Sequence, residues 1–131
     1  MKVVILAGGY GTRLGEETKK KPKPLVKIGG KPIIWHIIKI YSHYGINEFI
    51  ICLGYKGSLL KAELNRLNHN NVWNIKFVNT GLNTMTGGRI KRIKKYLTDN
   101  QNFCLSYGDG LSDVNIKKLI KFHTKNNKMG T

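Results

Sequence analysis

The sequence predicts an α/β fold, a three-layer αβα sandwich built on a mostly parallel, Rossmann-like sheet. Four short apolar runs alternate with segments whose apolar residues recur at helical spacing, a pattern typical of βαβ units. The 131 residues are enough for one hydrophobic core, so we expect a single domain over residues 1–131. Glycine-bearing loops follow all four predicted strands, and such sheets bind ligands beyond the carboxyl ends of their strands.

The first half of the chain predicts two strands and two helices. Lys2–Ala7 has the length and composition of a buried strand, and a loop then runs to the proline-rich stretch before Leu25–Ile28, a short extended piece. Pro32 suits the first turn of a helix and Gly45 suits its end. Phe49–Leu53 is entirely apolar and is therefore expected at the centre of the sheet. The apolar positions of the two helices are Ile33, Ile34, Ile37, Ile38 and Tyr41, then Leu59, Leu60, Leu64 and Leu67.

The second half predicts two more strands, each followed by a helix. The strands are Asn74–Val78 and Phe103–Ser106, and a very basic helix over Arg89–Leu97 lies between them. Ser112 or Asp113 can cap the last helix, because both side chains accept hydrogen bonds from helical N–H groups. The inner positions of these helices are Ile90, Ile93 and Leu97, then Ile116, Leu119, Ile120 and His123.

A glycine-rich loop after the first strand is the strongest functional signal. Gly8, Gly9 and Gly11 let the backbone turn sharply and approach a ligand closely. Successive N–H groups in such a loop form an anion-binding concavity, to which Arg13 and Lys23 add positive charge. A simple turn after a core strand would explain the glycines but not the two cations. We therefore interpret the loop as a cradle for a nucleoside triphosphate.

The spacing of the loop excludes two common nucleotide-binding motifs. A dinucleotide fingerprint that started at Gly9 would need a third glycine where Leu14 stands. A P-loop would need a glycine followed by lysine and a hydroxyl residue, and no glycine here has that sequence at the required spacing. What remains is a Leu-Ala-Gly-Gly-x-Gly-Thr-Arg-Leu segment with Lys-Pro-Lys-Pro downstream.

A lone aspartate follows the fourth predicted strand. Asp109 lies between Gly108 and Gly110, so the backbone is free to bring its carboxylate up to a ligand. Magnesium favours one or two carboxylates together with phosphate oxygens and water. A plain β-turn is the alternative interpretation of Gly-Asp-Gly.

Together these motifs resemble the sugar-phosphate nucleotidyltransferases, and among them the glucose-1-phosphate cytidylyltransferase branch. The resemblance extends from Met1 to about Lys128, and the Thr84–Arg89 stretch is what points to this branch. The matching segments are Leu6–Leu14, Lys21–Pro24, Lys31–His36, Ile40–His43, Gly54–Gly57, Thr80–Gly81, Thr84–Arg89 and Tyr107–Gly110.

The resemblance implies transfer of CMP from CTP to glucose 1-phosphate, giving CDP-glucose and pyrophosphate, with Mg²⁺ as cofactor. Arg13 would grip the β- and γ-phosphates, Lys23 would neutralise charge at the α-phosphate, and Asp109 would hold the metal. Gly87 would lie against the base. The implied nucleotide-binding residues are Leu6, Ala7, Gly8, Gly9, Gly11, Thr12, Arg13, Lys23, Thr80, Thr86, Gly87, Gly88 and Tyr107.

The resemblance covers only the N-terminal half of such enzymes. The family chain is about twice as long, and its second metal carboxylate and most of its sugar-phosphate pocket lie in the other half. This chain is also shorter between Gly57 and Thr80, where the family has an insertion that helps to build its oligomer. We therefore expect an uncovered sheet edge, and we leave open a catalytically incomplete nucleotide-binding module, an enzyme for another nucleoside triphosphate, and a homo-oligomer.

Composition adds a nucleic-acid-binding alternative. The formal charge of +16 could attract phosphates, but the lysines are spread along the chain without interleaved aromatic residues. We expect a solvated basic surface that steers anionic substrates.

The cysteines and the apolar runs bear on the location of the protein. Cys52 and Cys104 lie in apolar runs, which predicts buried thiols in a reducing compartment, and we therefore expect the cytoplasm. No apolar run is long enough to span a membrane. The four histidines show no ligand or triad spacing.

Overall fold

A computed structural model of the chain describes residues 1–11, 16–97 and 102–131. The strands and helices alternate as the sequence predicts. In chain order they are β1 (Val3–Leu6), α1 (Glu16–Lys20), a 3₁₀ helix (Lys23–Leu25), β2 (Lys27–Ile28), β3 (Lys31–Pro32), α2 (Ile33–His43), β4 (Glu48–Leu53), α3 (Gly57–Leu67), β5 (Asn74–Asn79), α4 (Thr86–Arg92), a second 3₁₀ helix (Lys94–Tyr96), β6 (Cys104–Tyr107) and α5 (Ile116–Asn126).

The main sheet is parallel, with the strand order β5-β4-β1-β6. The two inner strands, β1 and β4, are paired in a register that sets Val3 opposite Phe49. Val3–Leu6 is buried throughout, and in β4 only Glu48 is exposed. Strands buried on both faces need continuous apolar runs, and that is why these segments do not alternate with polar residues. The prediction of a central strand at Phe49–Leu53 is confirmed.

Two apolar clusters of unequal size cover the faces of the sheet. On one face, residues of α2, α3 and α5, such as Ile34, Leu60 and Ile116, pack against β1 and β4. On the other face Ile93 is the buried residue that packs over the strands, where it is joined by half-buried side chains such as Ile90. The fold is thus the predicted three-layer sandwich. None of the helices in the described ranges is long and apolar enough to cross a bilayer.

The segment before α2 differs from the prediction. Pro32 ends β3 with an extended backbone (φ −58°, ψ 148°) and stands before the helix instead of in its first turn. β2 and β3 form a small antiparallel hairpin, whose turn contains Gly29 and Gly30 at φ 58° and 80°. A conformation with positive φ at both residues favours glycine, so these two glycines are explained by the turn. Upstream, α1 occupies part of the stretch that was expected to be a loop.

Two helix boundaries are also corrected. The basic helix predicted over Arg89–Leu97 is α4, which begins earlier at Thr86 and ends at Arg92, with the tighter 3₁₀ turn after it. The cap of α5 is Asn115, whose Oδ1 accepts a hydrogen bond of 3.0 Å from the Lys118 N–H, and not Ser112 or Asp113. A short side chain one residue before the helix satisfies an N–H group that the first turn leaves unpaired.

The two cysteines differ in burial. Cys52 is fully buried, and burial raises the pKa of its thiol to about 11, with the positive charge of Arg89 acting in the opposite direction. Its thiol is therefore neutral at physiological pH, as expected of a buried apolar side chain. Cys104 is only half-buried, which corrects the prediction for that residue. Burial nevertheless raises the pKa of its thiol as well.

One edge of the sheet is uncovered in the described structure. β6 pairs only with β1. Its side chains Leu105 and Tyr107 lie beside β1 on the face of the sheet that carries Ile93, and they are 43% and 57% exposed. On α5, Phe122 is 58% exposed. The expectation of an uncovered edge beside an apolar helix surface is therefore confirmed. Edges of this kind are places where another polypeptide can pair.

Candidate functional site

A cavity of about 330 Å³ opens at the carboxyl ends of β1 and β6. The glycine loop forms one wall, and the start of the first 3₁₀ helix, the turn after β6 and the loop before α4 form the rest. Its lining residues are Leu6, Ala7, Gly8, Gly9, Gly11, Lys23, Pro24, Thr84, Met85, Thr86, Arg89, Tyr107, Gly108 and Asp109. Nine of the predicted site residues are among them, so distant segments of the chain converge as the topology of the sheet predicts.

Lys23 and Asp109 meet directly in this cavity. The Lys23 ammonium contacts Oδ2 of Asp109, and both side chains are about a third exposed, at 28% and 30%. The ion pair therefore faces the space where a ligand would lie. A cation and a carboxylate on one wall can neutralise phosphate oxygens and hold a metal ion, respectively.

The backbone around this pair explains the prolines and one glycine. Pro24 is buried, and the Leu25 N–H donates to the carbonyl oxygen of Pro22 over 2.9 Å, which fixes the turn that carries Lys23. A Cβ on Gly108 would lie 2.9 Å from Cγ of Pro24, so the turn after β6 can pass this close only with glycine at that position. The close packing thus places the aspartate beside the lysine.

Arg89 is the main functional residue that sequence reasoning missed. It is only 5% exposed, and its guanidinium donates five hydrogen bonds of 2.7–3.2 Å to oxygens at the ends of β1, β4 and β5. Burial lowers the pKa of this guanidinium. The fork geometry of arginine lets one side chain join three loops. The five acceptors are the carbonyl oxygens of Gly8, Leu53, Gly81 and Leu82 and the hydroxyl of Thr80.

This arginine also accounts for two of the glycines. A Cβ on Gly8 would overlap the Arg89 guanidinium, and a Cβ on Gly54 would lie 2.5 Å from the carbonyl oxygen of Gly8. The loops therefore pack backbone against backbone around one buried cation. Gly8 lines the cavity, but the need for glycine there already follows from this packing.

Gly9 and Gly87 have no such explanation within the chain. Both are exposed, neither has positive φ, and a Cβ on either residue would meet no atom within 4 Å. The space in front of each is open. A ligand that approaches the backbone closely would account for glycine at these two positions.

Several predicted site residues lie away from the cavity. Thr80 is fully buried beneath it, where its hydroxyl donates to the carbonyl oxygen of Leu53 over 2.8 Å and accepts from Arg89. Gly87 and Gly88 lie in the first turn of α4, next to Thr86 but outside the lining. Thr12 and Arg13 fall outside the described residues. The roles assigned to all of these in nucleotide binding stay predictions.

The donor groups of the site fit a magnesium ion shared with a substrate. In the described ranges no three histidine, cysteine, aspartate or glutamate side chains come together at a potential metal site. Asp109 lines the cavity and could serve as one carboxylate ligand, with phosphates and water completing the shell. Magnesium is often bound in this way, through one or two carboxylates and substrate phosphates.

Comparison with known proteins supports the sequence resemblance. The chain is 49% identical to the glucose-1-phosphate cytidylyltransferase of Salmonella typhimurium over 151 aligned positions, which include 100% of this chain and 59% of the relative. It is 46% identical to the probable glucose-1-phosphate cytidylyltransferase of Bacillus subtilis over 142 positions, 94% of this chain and 56% of the relative. The chain thus spans less than two thirds of the length of these relatives, consistent with an N-terminal half.

The fold and the family agree with this similarity. HddC from Yersinia pseudotuberculosis, whose crystal structure was solved in complex with GMP-PN, superposes with a TM-score of 0.79 at 33% identity, over 93% of this chain and 53% of HddC. The sequence profile described as "Nucleotidyl transferase" matches residues 2–131. The match includes the glycine loop, Lys23 and Asp109. The chain therefore belongs to the nucleotidyl transferase family.

Proposed function

We propose that this chain is the nucleotide-binding domain of a sugar-1-phosphate cytidylyltransferase and that its cavity binds CTP with Mg²⁺. The whole reaction would transfer CMP from CTP to glucose 1-phosphate and release pyrophosphate and CDP-glucose. The observation that carries the proposal is that Lys23 and Asp109 meet in a cavity that the glycine loop also lines. The identity to the two cytidylyltransferases supports CTP as the nucleotide.

The residues of the cavity suit positioning and charge neutralisation. An oxygen of the sugar phosphate would attack the α-phosphorus of CTP in line with the departing pyrophosphate. A sugar phosphate is already a competent nucleophile, so the reaction needs no general base. The Lys23 ammonium would stabilise charge on the α-phosphate, and Arg13, by family resemblance, would hold the β- and γ-phosphates. Bound Mg²⁺ would neutralise phosphate oxygens, and Asp109 would hold it.

Two narrower alternatives follow from the comparisons. Because the chain spans less than two thirds of the cytidylyltransferases, the first is a nucleotide-binding module without turnover. The second is an enzyme for another base, which the GMP-PN complex of HddC favours. Our proposal also places the protein in the cytoplasm, in nucleotide-sugar synthesis of the kind that supplies lipopolysaccharide O-antigen, and leaves a homo-oligomer open.

The decisive experiment is a titration of the purified chain with CTP, GTP, UTP and dTTP, each with Mg²⁺, by calorimetry and thermal unfolding. We expect CTP to bind most tightly and to raise the melting temperature, because a ligand that binds only the folded state stabilises it. Lys23→Ala should weaken CTP binding roughly tenfold or more, since it removes a charge-assisted contact. Lys128→Ala on the exposed tail is the matched control.

The same preparation separates the alternatives. If GTP binds more tightly than CTP, the nucleotide substrate is GTP and the proposal of CTP is wrong. Pyrophosphate release on addition of glucose 1-phosphate would show turnover, and CTP binding without release would identify the module. Salt-sensitive binding of a short oligonucleotide with no response to any triphosphate would overturn the proposal in favour of a nucleic-acid-binding protein.

The two open glycines give a second, independent prediction. Gly9→Ala and Gly87→Ala should each weaken CTP binding by roughly tenfold or more. In our proposal the bound nucleotide lies against both backbones, so the added methyl group would clash with it. Stability should not fall, since neither methyl group meets another atom of the chain, and an alanine in α4 favours the helix. Calorimetry with CTP and urea unfolding measure the two effects. Gly130→Ala, also in open space, is the control. Unchanged CTP affinity in both variants would contradict the prediction.

A further inference from the structure

Tyr10 joins the glycine loop to the loop that precedes α4. It lies between Gly9 and Gly11, and its hydroxyl donates a hydrogen bond of 2.8 Å to Oδ1 of Asn83. Asn83 directly precedes Thr84, Met85 and Thr86, which line the cavity. The bond therefore links two walls of the candidate site that are 73 residues apart in the chain.

The other contacts of Tyr10 extend this link to a third loop. Its ring packs against the ring of Tyr55, with centroids 5.4 Å apart and planes tilted by 38°. Tyr55 lies in the turn before α3, beside Lys56, whose ammonium is 5.5 Å from the Tyr55 ring and also donates to the carbonyl oxygen of Lys19 in α1. A continuous row of contacts thus runs from Asn83 through Tyr10, Tyr55 and Lys56 to Lys19.

The contacts of Tyr10 and those of the two arginines, buried Arg89 and exposed Arg92, act at different places. Arg89 holds the glycine loop from below at Gly8, and Arg92 holds the loop before α4 through the hydroxyl of Thr84 at 2.8 Å. Beyond Gly8 the glycine loop contains Gly9 and Gly11, the latter at φ 66°, so its backbone has unusual freedom. Tyr10 is the side chain in the middle of this segment.

We propose that Tyr10 is a positioning residue whose bond to Asn83 holds the glycine loop in its nucleotide-binding shape before the nucleotide arrives. An unrestrained loop would lose conformational freedom on binding, and that loss would weaken affinity. Tyr10 is 44% exposed, so its hydroxyl adds little to the stability of the fold as a whole. This inference rests on the proposed function, because the loop is pre-organised for CTP.

The test uses Tyr10→Phe, Asn83→Ala and the double variant. Tyr10→Phe keeps the ring contact with Tyr55 and removes only the hydroxyl. We expect each single variant to speed amide hydrogen exchange at residues 8–11 in the absence of nucleotide and to weaken CTP binding roughly three- to tenfold. The double variant should be no weaker than the singles, because both remove the same bond. Melting temperatures should stay unchanged, and Tyr44→Phe, just after α2 and outside the cavity lining, is the control.

Exchange and affinity together decide the outcome. Exchange at residues 8–11 that matches the wild type in both single variants would overturn the proposal. Faster exchange with unchanged CTP affinity would also overturn it, because the bond would then not serve binding. If the losses of CTP affinity in the two single variants add up in the double variant, Tyr10 and Asn83 act independently, and the proposal is overturned. If the wild type binds no CTP, the proposed function fails, and the exchange measurement still shows whether the bond orders the loop.

Discussion

Replacing Arg89 with methionine should lower the free energy of unfolding by about 3–5 kcal/mol. Methionine fills a similar volume but donates no hydrogen bond, so five oxygens at the ends of three strands lose a donor at once. A buried acceptor left without a partner costs roughly 1–3 kcal/mol. The total stays below five such losses, because the Leu53 and Gly8 carbonyls keep the N–H groups of Thr80 and Tyr55 as donors. The exposed Leu82 carbonyl can also bond to water. Urea unfolding, followed by circular dichroism, measures the change.

Two further variants make this result specific. Arg89→Lys should also destabilise the protein, because one ammonium cannot reach acceptors that the planar guanidinium joins from two nitrogens. Arg66→Met is the matched control, since Arg66 is exposed on α3 and, among the described residues, pairs only with Glu63 one turn away. A stability of Arg89→Met equal to that of the control would show that the loops hold their positions without the arginine.

The role of Arg89 also shows where sequence reasoning stopped. The sequence pattern predicts a basic helix that begins at Arg89, and the family resemblance includes Arg89 without a role of its own. The spacing of the residues does indicate that Arg89 is buried. Arg89 lies four residues before the buried Ile93 and therefore on the same inner face of the helix. A charge at an apolar position of a helix needs buried acceptors. Here the acceptors are carbonyl groups of loops, which no periodicity reveals.

The fold is easier to predict from the sequence than the site is, because local apolar runs determine the strands and helices. Val3–Leu6 and Phe49–Leu53 are continuous apolar segments, and the structure buries both as the inner strands. The short hairpin at Gly29 and the early end of α4 were missed, since both depend on a few residues and on packing. The convergence of Lys23 and Asp109 followed from the topology of the sheet. Their direct contact depends on the close packing of Gly108 against Pro24, which spacing alone does not show.

Asp109→Asn should remove the dependence of CTP binding on Mg²⁺. In the wild type we expect CTP to bind at least about tenfold more tightly with Mg²⁺ than with EDTA, a difference of about 1.4 kcal/mol. The asparagine keeps the shape of the side chain but loses the charge that attracts the cation, so the two conditions should give the same affinity. The fold should remain intact, because the ion pair with Lys23 is partly exposed and such pairs contribute little to stability.

The control for Asp109→Asn is the same substitution at a nearby aspartate, Asp113. Asp113 is exposed in the same loop and does not line the cavity, so Asp113→Asn changes the net charge equally and should keep the full response to Mg²⁺. Retention of that response in Asp109→Asn would show that the metal is held by the triphosphate alone or by groups outside the described ranges. Loss of the response only in Asp109→Asn would make this carboxylate the metal ligand, because no other acidic side chain lines the described part of the cavity.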